Sequence, residues 1–382
     1  MMDYAMRWVI RAFKAFDWPL LLILVIFAAL GMVVMHSAVG DSDGRFMAQA
    51  RNFLLAFFVM WFVALWPPSK VMKIVIPFYI FGCLLLLAVL LFGSTSKGAT
   101  RWLDLGFIRI QPSEMMKLCV PMMLAWYFDK YRSDIRIRDF IVAGFLLLVP
   151  FVMIIKQPDL GTALLVFATG FFVIYFAGLS FKLLTPIFIL GVIFLGLILY
   201  FEPVLCAPDF DWVILHEYQK TRVCTLLDPN TDPLGKGFHT IQGMIAIGSG
   251  GLYGKGYMMG TQTHLDFIPE RTTDFIFAVF AEEFGLYGSV LLLILYTLLL
   301  ARCFAITMRA QTQFGRLLAG ALTMMFFVYV FVNMGMVMGI LPIVGVPLPF
   351  MSYGGTALVT LGVASGLLMS ISNYKPQRKD DI

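Results

Sequence analysis

The sequence predicts an all-α, polytopic integral membrane protein with about ten transmembrane helices, and two observations carry this prediction. First, 60% of the 382 residues are hydrophobic and only 13% are charged, with a mean hydropathy of +0.87. A soluble domain needs about 25% charged residues to cover its surface, so most of this surface must face lipid. Second, the hydrophobic residues form long continuous runs. Ordinary soluble enzymes, nucleic-acid-binding proteins and coiled coils are therefore excluded.

Each predicted helix corresponds to one apolar run. A bilayer core about 30 Å thick takes roughly 20 apolar residues per crossing helix. Continuous runs do not alternate as barrel strands do, and open strands cannot satisfy their backbone groups in hydrocarbon, so the runs are helices. No small-residue cleavage site follows the first run, so it is not a cleavable signal peptide. The runs lie at 18–38, 52–66, 72–92, 115–128, 140–155, 163–179, 183–204, 275–301, 316–340 and 356–373.

The distribution of Lys and Arg predicts which ends of these helices face the cytoplasm. In the short connections, basic residues concentrate on the side of the N-terminus, as between Lys130 and Arg138. By the positive-inside rule this side is cytoplasmic, and an even number of spans places both termini there. Most acidic residues of the connections, such as Asp104 and Asp159, lie on the opposite side. We therefore expect any chemistry at the outer face.

Two connections on the outer side are long. The first covers 93–114, and the second covers 204–274 between spans 7 and 8. Within the second, the stretch 211–227 has the helical spacing of an amphipathic helix lying on the membrane. Neither connection is large enough for an independent soluble domain, so the chain is predicted to form a single membrane domain over 1–382.

Two cysteines, Cys206 and Cys224, lie in the large outer loop. An oxidising compartment would permit a disulfide between them, but sequence does not supply the geometry, so bridged and free cysteines are equally open. No His or Cys pair has the spacing of a structural zinc site. We therefore assign no metal ligand.

Polar residues that interrupt apolar runs are costly in a membrane, so each cluster of them is a functional hypothesis. The first cluster contains Arg101, Trp102, Glu114 and Lys117. Glu114 and Lys117 lie on one helix face, so they could form a structural ion pair, or Lys117 could hold a phosphate together with Arg101. Trp102 is either part of this site or an interfacial belt residue.

The second cluster lies around Lys156 and Asp159. Asp159 stands two residues before Gly161, a pattern that favours a helix N-cap or a tight turn over chemistry. Lys156 cannot be explained as a cap, and it adds a further cation to the outer face. Both residues are included in the candidate binding site.

The third cluster precedes span 8, and the fourth lies between spans 9 and 10. Asp274 opens the eighth span and could act as a general base, or it could be an N-cap carboxylate with no chemistry. Glu270, four residues earlier, could tune such a base, bind a cation or set activation. The fourth cluster, at 342–355, is rich in Pro and Gly. There, Ser352 could lie against a polar headgroup or could merely form a tight turn.

Five motifs in these clusters resemble the signatures of the SEDS family, the bacterial shape, elongation, division and sporulation proteins. Their order and spacing match the family along nearly the whole chain, and five motifs in order on a ten-span frame are far more specific than one. The motifs are QPSEMMK at 111–117, KQPDLGT at 156–162, IAIGSGGLYGKG at 245–256, HLDFIPERTTDFIFAVFAEEFG at 264–285 and PLPFMSYGG at 347–355.

The resemblance implies a peptidoglycan glycosyltransferase that polymerises the undecaprenyl-linked precursor lipid II into glycan strands during cell elongation. In the family, activity depends most clearly on the aspartate that matches Asp274, and residues matching Arg101, Trp102, Glu114 and Lys117 line an outer cavity. The family works with a class B penicillin-binding protein, a single-span transpeptidase, among other membrane proteins of the elongation complex. These properties imply the bacterial cytoplasmic membrane, with the active face in the periplasm.

The residues and the resemblance together suggest a mechanism. Asp274 would take the proton from the acceptor sugar's 4-hydroxyl, while outer-face cations offset the charge of the departing pyrophosphate. No cofactor is assigned, although a divalent cation, Mg²⁺ or Mn²⁺, could assist the leaving group.

Two other classes of function remain open. A flippase or transporter of the same lipid would suit broken helices and buried carboxylates. However, the polar clusters crowd onto one face, whereas a two-sided path needs them at both mouths. A non-enzymatic scaffold that only recruits the transpeptidase would leave Asp274 and Lys117 without a task.

Overall fold

The computed structural model describes most of the chain, and the predicted amphipathic helix at 211–227 lies almost entirely outside the described residues. Within them the fold is a helical bundle with one small sheet. The described residues are 15–40, 43–96, 99–104, 109–131, 135–207, 220, 224–225, 227, 236–265, 267–268 and 270–374.

Seven long helices precede the large loop. Three of them, α1, α3 and α4 below, have proline in the first turn, where a missing backbone N–H costs nothing. The helices are α1 (Trp18–Val39), α2 (Asp43–Ala64), α3 (Pro68–Phe92), α4 (Pro112–Lys130), α5 (Ile137–Ile155), α6 (Leu160–Phe176) and α7 (Phe181–Tyr200).

Three shorter helices lie in or next to the described parts of the large loop, and three long helices follow it. They are α8 (Glu202–Leu205), α9 (Lys236–Gly250), α10 (Thr261–His264), α11 (Ile276–Arg309), α12 (Gln313–Val337) and α13 (Gly355–Asn373). A helix lies on each of the ten predicted runs, which confirms the polytopic helical fold. In the described part of the chain, seven helices are long and apolar enough to cross a bilayer. The number of crossings and the cytoplasmic termini stay predictions.

A small antiparallel sheet, which the sequence analysis did not predict, occupies the first long connection. Its strands are β1 (Ser94–Ser96), β2 (Ala99–Asp104) and β3 (Arg109–Ile110), in that order across the sheet. Trp102 on β2 lies opposite Ser94, and Leu103 lies opposite Ile110. Strands this short give no period-two alternation that stands out in a sequence. The sheet presents Arg101 and Trp102 beside the start of α4.

Helix α12 is buried over most of its length and packs against α4, α6 and α11. A helix that is apolar all round suits such a central position. Its side chains can therefore reach segments that are far apart in the sequence.

Helix α11 is broken at Gly285, whose φ of 65° and ψ of −161° are not helical. A positive φ is accessible to glycine at little cost. The Gly-rich segment 251–256 pairs with the backbone groups on both sides of the break, as non-helical backbone in a membrane requires. Four bonds join them: Lys255 N to Glu282 O and Gly256 N to Glu283 O, both 3.0 Å, Leu286 N to Gly251 O, 2.9 Å, and Tyr287 N to Leu252 O, 3.1 Å.

The two buried glutamates beside this break have polar partners, as their burial demands. Glu282 Oε1 accepts hydrogen bonds from Lys255 Nζ at 2.7 Å and from Gln262 N at 3.0 Å. The Ser37 hydroxyl, on α1, donates to Glu283. These contacts tie α1 and the Gly-rich segment to α11.

Cys206 and Cys224 form a disulfide, with their Cα atoms 5.6 Å apart. Of the two alternatives left open by the sequence, the bridged one is therefore correct. The bond joins Cys206, which follows α8, to a later position in the same loop. Cys83, Cys119 and Cys303 are free, and the last two are buried.

A polar cluster around Asp17 joins three helices near the start of α1. Asp17 caps α1 through Leu20 N, at 3.1 Å. Its two carboxylate oxygens accept from Arg302 Nε at 2.9 Å and from Arg302 Nη2 at 2.7 Å, and Ser372 Oγ lies 2.7 Å away. The cluster therefore links α1, α11 and α13.

Candidate active site

Asp159 connects the first two predicted clusters. It is the N-cap of α6, and its Oδ1 accepts a hydrogen bond from Thr162 N at 3.3 Å, which confirms the capping interpretation. Its Oδ2 accepts from Gln111 Nε2 at 2.9 Å and from Ser113 Oγ at 3.3 Å, at the start of α4. The carboxylate is therefore both a cap and a junction between two helices.

Arg101 extends from β2 towards the same carboxylate. Its Nη1 lies 3.7 Å from Asp159 Oδ1, and its Nη2 donates to the Pro158 carbonyl at 3.1 Å. The Arg101 side chain remains 30% exposed, while its Nε is buried and has no hydrogen-bond partner among the described residues. Trp102 is half-buried, and its carbonyl accepts from Ser94 Oγ at 3.2 Å. Arg101 thus keeps donor capacity that a ligand could use.

Lys117 and Glu114 form the predicted ion pair. Lys117 Nζ donates to Glu114 Oε1 at 2.6 Å and to the Tyr329 hydroxyl of α12 at 2.7 Å. The lysine side chain is 1% exposed. Glu114 Oε2 is buried and lacks a hydrogen-bond partner within the described part of the chain. The predicted ion pair is therefore confirmed, and phosphate binding by Lys117 stays a prediction.

The connection between α12 and α13 lies against the start of α6. A β-carbon at Gly161 would stand 2.5 Å from the Val344 carbonyl oxygen, so the two backbones touch. A β-carbon at the next residue of the connection, Gly345, would stand 3.5 Å from Asp274 Oδ2. The second and third predicted clusters are therefore neighbours across this connection.

Asp274 is half-buried in a turn that precedes α11. The N-cap position of α11 is Phe275 rather than Asp274. Asn333 Nδ2, on α12, donates to the Asp274 carbonyl at 2.9 Å and to the Val346 carbonyl at 2.7 Å. Because Tyr329 is one turn away on the same helix, α12 joins the Lys117 pair to the Asp274 turn.

The remaining predicted residues lie around this turn. Thr273 Oγ1 donates to Glu270 Oε2 at 3.0 Å. Ser352 is buried, and its hydroxyl donates to the Thr273 carbonyl at 2.6 Å and accepts from Leu348 N at 2.8 Å. Lys156 is exposed after the end of α5. The structure thus brings all four predicted clusters to one end of the bundle.

Three contributors to the site were missed in the sequence. Tyr329 and Asn333 are polar groups within an apolar run, which is a signal of function or of a required partner in a membrane. Arg45, at the start of α2, donates from Nη1 to Thr272 Oγ1 at 3.3 Å and is exposed. Its contact could not be predicted because 227 residues separate the two side chains.

These features define a polytopic integral membrane protein with a charged site at one end of its helix bundle. The family model FTSW_RODA_SPOVE, described as "Cell cycle protein", matches residues 17–377. The match covers almost the whole chain, so the protein belongs to this family, as the five motifs predicted.

Several named proteins are similar to the chain over nearly its whole length. The peptidoglycan glycosyltransferase MrdB of Escherichia coli (strain K12) is 45% identical over 360 residues, which are 94% of this chain and 94% of that protein. Stage V sporulation protein E of Bacillus subtilis (strain 168) is 33% identical over 379 residues, or 94% and 97% of the two chains.

Solved structures share the fold. A chain of a peptidoglycan synthase complex that coordinates polymerization and crosslinking has a TM-score of 0.78 and 30% sequence identity, covering 94% of this chain and 99% of that one. The rod shape determining protein RodA of Thermus thermophilus has a TM-score of 0.68 and 28% identity, covering 94% and 98%.

Proposed function

We propose that this chain is a peptidoglycan glycosyltransferase of the bacterial cytoplasmic membrane that polymerises lipid II into glycan strands during cell elongation. One observation carries the proposal: the connection at Val344 and Gly345 links the Asp274 turn to the start of α6, and α12 links it to Lys117, although these segments are distant in the sequence. Similar proteins with this named activity align with almost the whole chain, which supports the reaction class.

Asp274 is the proposed general base. Its carboxylate accepts the proton of the acceptor sugar's 4-hydroxyl as that oxygen attacks the anomeric carbon of the donor. One glycosidic bond forms, the bond from the anomeric carbon to the pyrophosphate oxygen breaks, and undecaprenyl pyrophosphate leaves. The exposure of Asp274, which is half-buried, suits a base that must meet a large substrate.

The cations have different proposed roles. The Arg101 side chain is 30% exposed and Lys156 is exposed, so both can approach the pyrophosphate. The charge of Lys117 is balanced by Glu114, so this pair acts as a nearly neutral group that holds the start of α4 against α12 beneath the site. Trp102 provides an apolar surface beside Arg101.

The proposed substrate also determines which side of the membrane the site faces. Lipid II has a polyprenyl tail in the bilayer and a sugar head in the periplasm, so the site faces the periplasm. A class B penicillin-binding protein is the proposed partner, supported by similarity to a chain of a peptidoglycan synthase complex. The described residues contain no group of three or more His, Cys, Asp or Glu that could hold a metal ion.

The test is Asp274→Asn in the purified, full-length protein with its transpeptidase partner and labelled lipid II. We expect polymerisation to fall by about 10²- to 10⁴-fold, the usual contribution of a general base. Asp104→Asn is the matched control, because Asp104 is an exposed carboxylate on β2 that accepts a hydrogen bond from Arg109 Nε at 3.0 Å. A folded Asp274→Asn protein that polymerises at the control's rate would contradict the assignment.

The same assay separates the alternative classes. Transbilayer movement of lipid II without glycan product would support a flippase, and the absence of both would support a scaffold. Glycan product from the wild-type chain, lost in Asp274→Asn and kept in Asp104→Asn, supports the enzyme.

A further inference from the structure

The turn that carries Asp274 is held by its backbone carbonyls. Residues 271–275 are not helical. Three consecutive carbonyls of this turn nevertheless accept hydrogen bonds, each from a residue outside it. Tyr353 N donates to Thr272 O at 2.8 Å, Ser352 Oγ donates to Thr273 O at 2.6 Å, and Asn333 Nδ2 donates to Asp274 O at 2.9 Å.

Asn333 is the innermost of these donors. It is fully buried on α12, and its Nδ2 donates to both Asp274 O and Val346 O. An NH₂ group has two hydrogens, and both are used by carbonyls, so the orientation of the amide is fixed. The bonds hold the Asp274 peptide against the connection whose Gly345 lies beside the Asp274 carboxylate.

The position of a catalytic carboxylate depends on the dihedral angles of the residue that carries it. A displacement of about 1 Å can cost about 100-fold in rate, so a base needs support for its own backbone. In a helix, the ladder of backbone hydrogen bonds supplies this support. Asp274 lies outside the ladder of α11, and the external donors take its place.

We propose that Asn333 is a positioning residue, which sets the place of the Asp274 carboxylate through the Asp274 peptide carbonyl. The inference rests on the proposed function, since it requires Asp274 to be the base. It assigns a functional residue to α12, a helix for which the sequence predicted none. The effect of Asn333 must therefore appear in the chemical step and not in substrate binding.

The test is steady-state polymerisation of lipid II by Asn333→Leu, which keeps the side-chain volume and removes both donors. We expect kcat to fall by about 10- to 100-fold, as for a misplaced base, while KM changes by less than about twofold. Thr323→Val is the matched control on α12, because its buried hydroxyl donates only to the Ala319 carbonyl of its own helix. Its kcat per folded protein stays at the wild-type value.

Asn333→Ser is a second variant, which keeps the test possible if Asn333→Leu does not fold. In Asn333→Ser the shorter hydroxyl can bond to its own helix, so the buried group is satisfied while the Asp274 carbonyl loses its donor. The same fall in kcat at constant KM is expected. Wild-type kcat per folded molecule in the folded variants, with only lower yield, would overturn the inference and leave a structural role.

A double variant separates this inference from the proposed function. If Asn333 acts through Asp274, adding Asn333→Leu to Asp274→Asn lowers the residual kcat no further, because residues that act as a unit are not additive. A further loss in the double variant contradicts positioning. Full activity in Asp274→Asn alone would instead remove the proposed base, whatever Asn333 does.

Discussion

The ammonium group of Lys117 is almost completely withdrawn from solvent and touches one carboxylate and one phenol. Desolvating two charges is costly, and their attraction repays the cost only when the geometry is good and the other hydrogen bonds are satisfied. Removing a single partner therefore leaves an uncompensated charge in a place that water does not reach. The consequence can be measured as stability, separately from activity.

We expect Lys117→Met to lower the free energy of unfolding by about 3 to 5 kcal/mol, because it leaves Glu114 buried without its cation. Lys117→Met combined with Glu114→Gln should recover most of this loss, since neither charge remains. Denaturant unfolding of the detergent-solubilised proteins measures both. A single Lys117→Met variant as stable as the wild type would mean that the pair is not buried in solution.

At this scale, the sequence predicts pairs that are close in the chain. The Glu114–Lys117 bond follows from a three-residue spacing on one helix face, and the Asp159 cap follows from a local pattern. The partners of Tyr329 and Asn333 were out of reach because Lys117 and Asp274 are 212 and 59 residues away. Such contacts depend on how the helices pack, which a single sequence does not specify.

Helix α6 and the connection before α13 meet where Gly161 faces Val344. A carbonyl oxygen belongs to the backbone and cannot rotate away from a new methyl group as a side chain can. The close approach therefore fixes the distance between two whole elements, one carrying Asp159 and the other lying beside Asp274.

We expect Gly161→Ala to lower the free energy of unfolding by about 1 to 3 kcal/mol through overpacking. It should also reduce polymerisation of lipid II, because the connection must move. Gly144→Ala on α5 is the control: its new β-carbon meets nothing within 4 Å, so it should stabilise the helix by about 0.5 to 1 kcal/mol. Equal melting temperatures and rates in the two variants would contradict the close approach.

Helices were predictable from the sequence wherever an apolar run is long. All ten apolar runs carry helices, because a run of about 20 apolar residues has few other solutions in a bilayer. The sheet β1–β3 was not foreseen because its strands are too short to give a pattern. Helix α9 was not foreseen either, since its glycines weaken helix propensity and its stability comes from packing on α11.

Hydrogen bonds join both ends of α1 to segments that are distant in the sequence. At one end, Arg271 Nε donates to the Ala38 carbonyl at 2.6 Å, close to the site. At the other end, Asp17 joins Arg302 and Ser372. Burial disfavours the charged Asp17, but hydrogen bonds from Arg302, Ser372 and Leu20 N outweigh it and lower the pKa of the carboxyl below its usual value.

We expect Asp17→Asn to destabilise the protein by about 2 kcal/mol, because it replaces charge-assisted hydrogen bonds with neutral ones. A carboxyl whose folded-state pKa is lowered stabilises the fold above its unfolded pKa of about 3.9, and this stability is lost as the pH falls through the folded value. The difference in melting temperature between wild type and Asp17→Asn should therefore be largest above about pH 4 and shrink in stronger acid.

A matched variant controls for loss of an ordinary ion pair. Arg109 and Asp104 are 69% and 41% exposed, so Arg109→Gln should cost less than about 1 kcal/mol at any of these pH values. A constant offset between wild type and Asp17→Asn across the acid range would rule out the ionised Asp17 as the source of the stability.

The break in α11 also decides how this element fits the thickness of a bilayer. An uninterrupted helix from Ile276 to Arg309 would extend about 51 Å, well beyond the hydrocarbon core of about 30 Å. The portion after Gly285 extends about 36 Å, which a tilt of about 34° accommodates, within the range of 0 to about 40° that transmembrane helices show. Because the portion before Gly285 can take its own direction, the helix can match the hydrocarbon thickness and still begin next to the turn that carries the proposed base, Asp274.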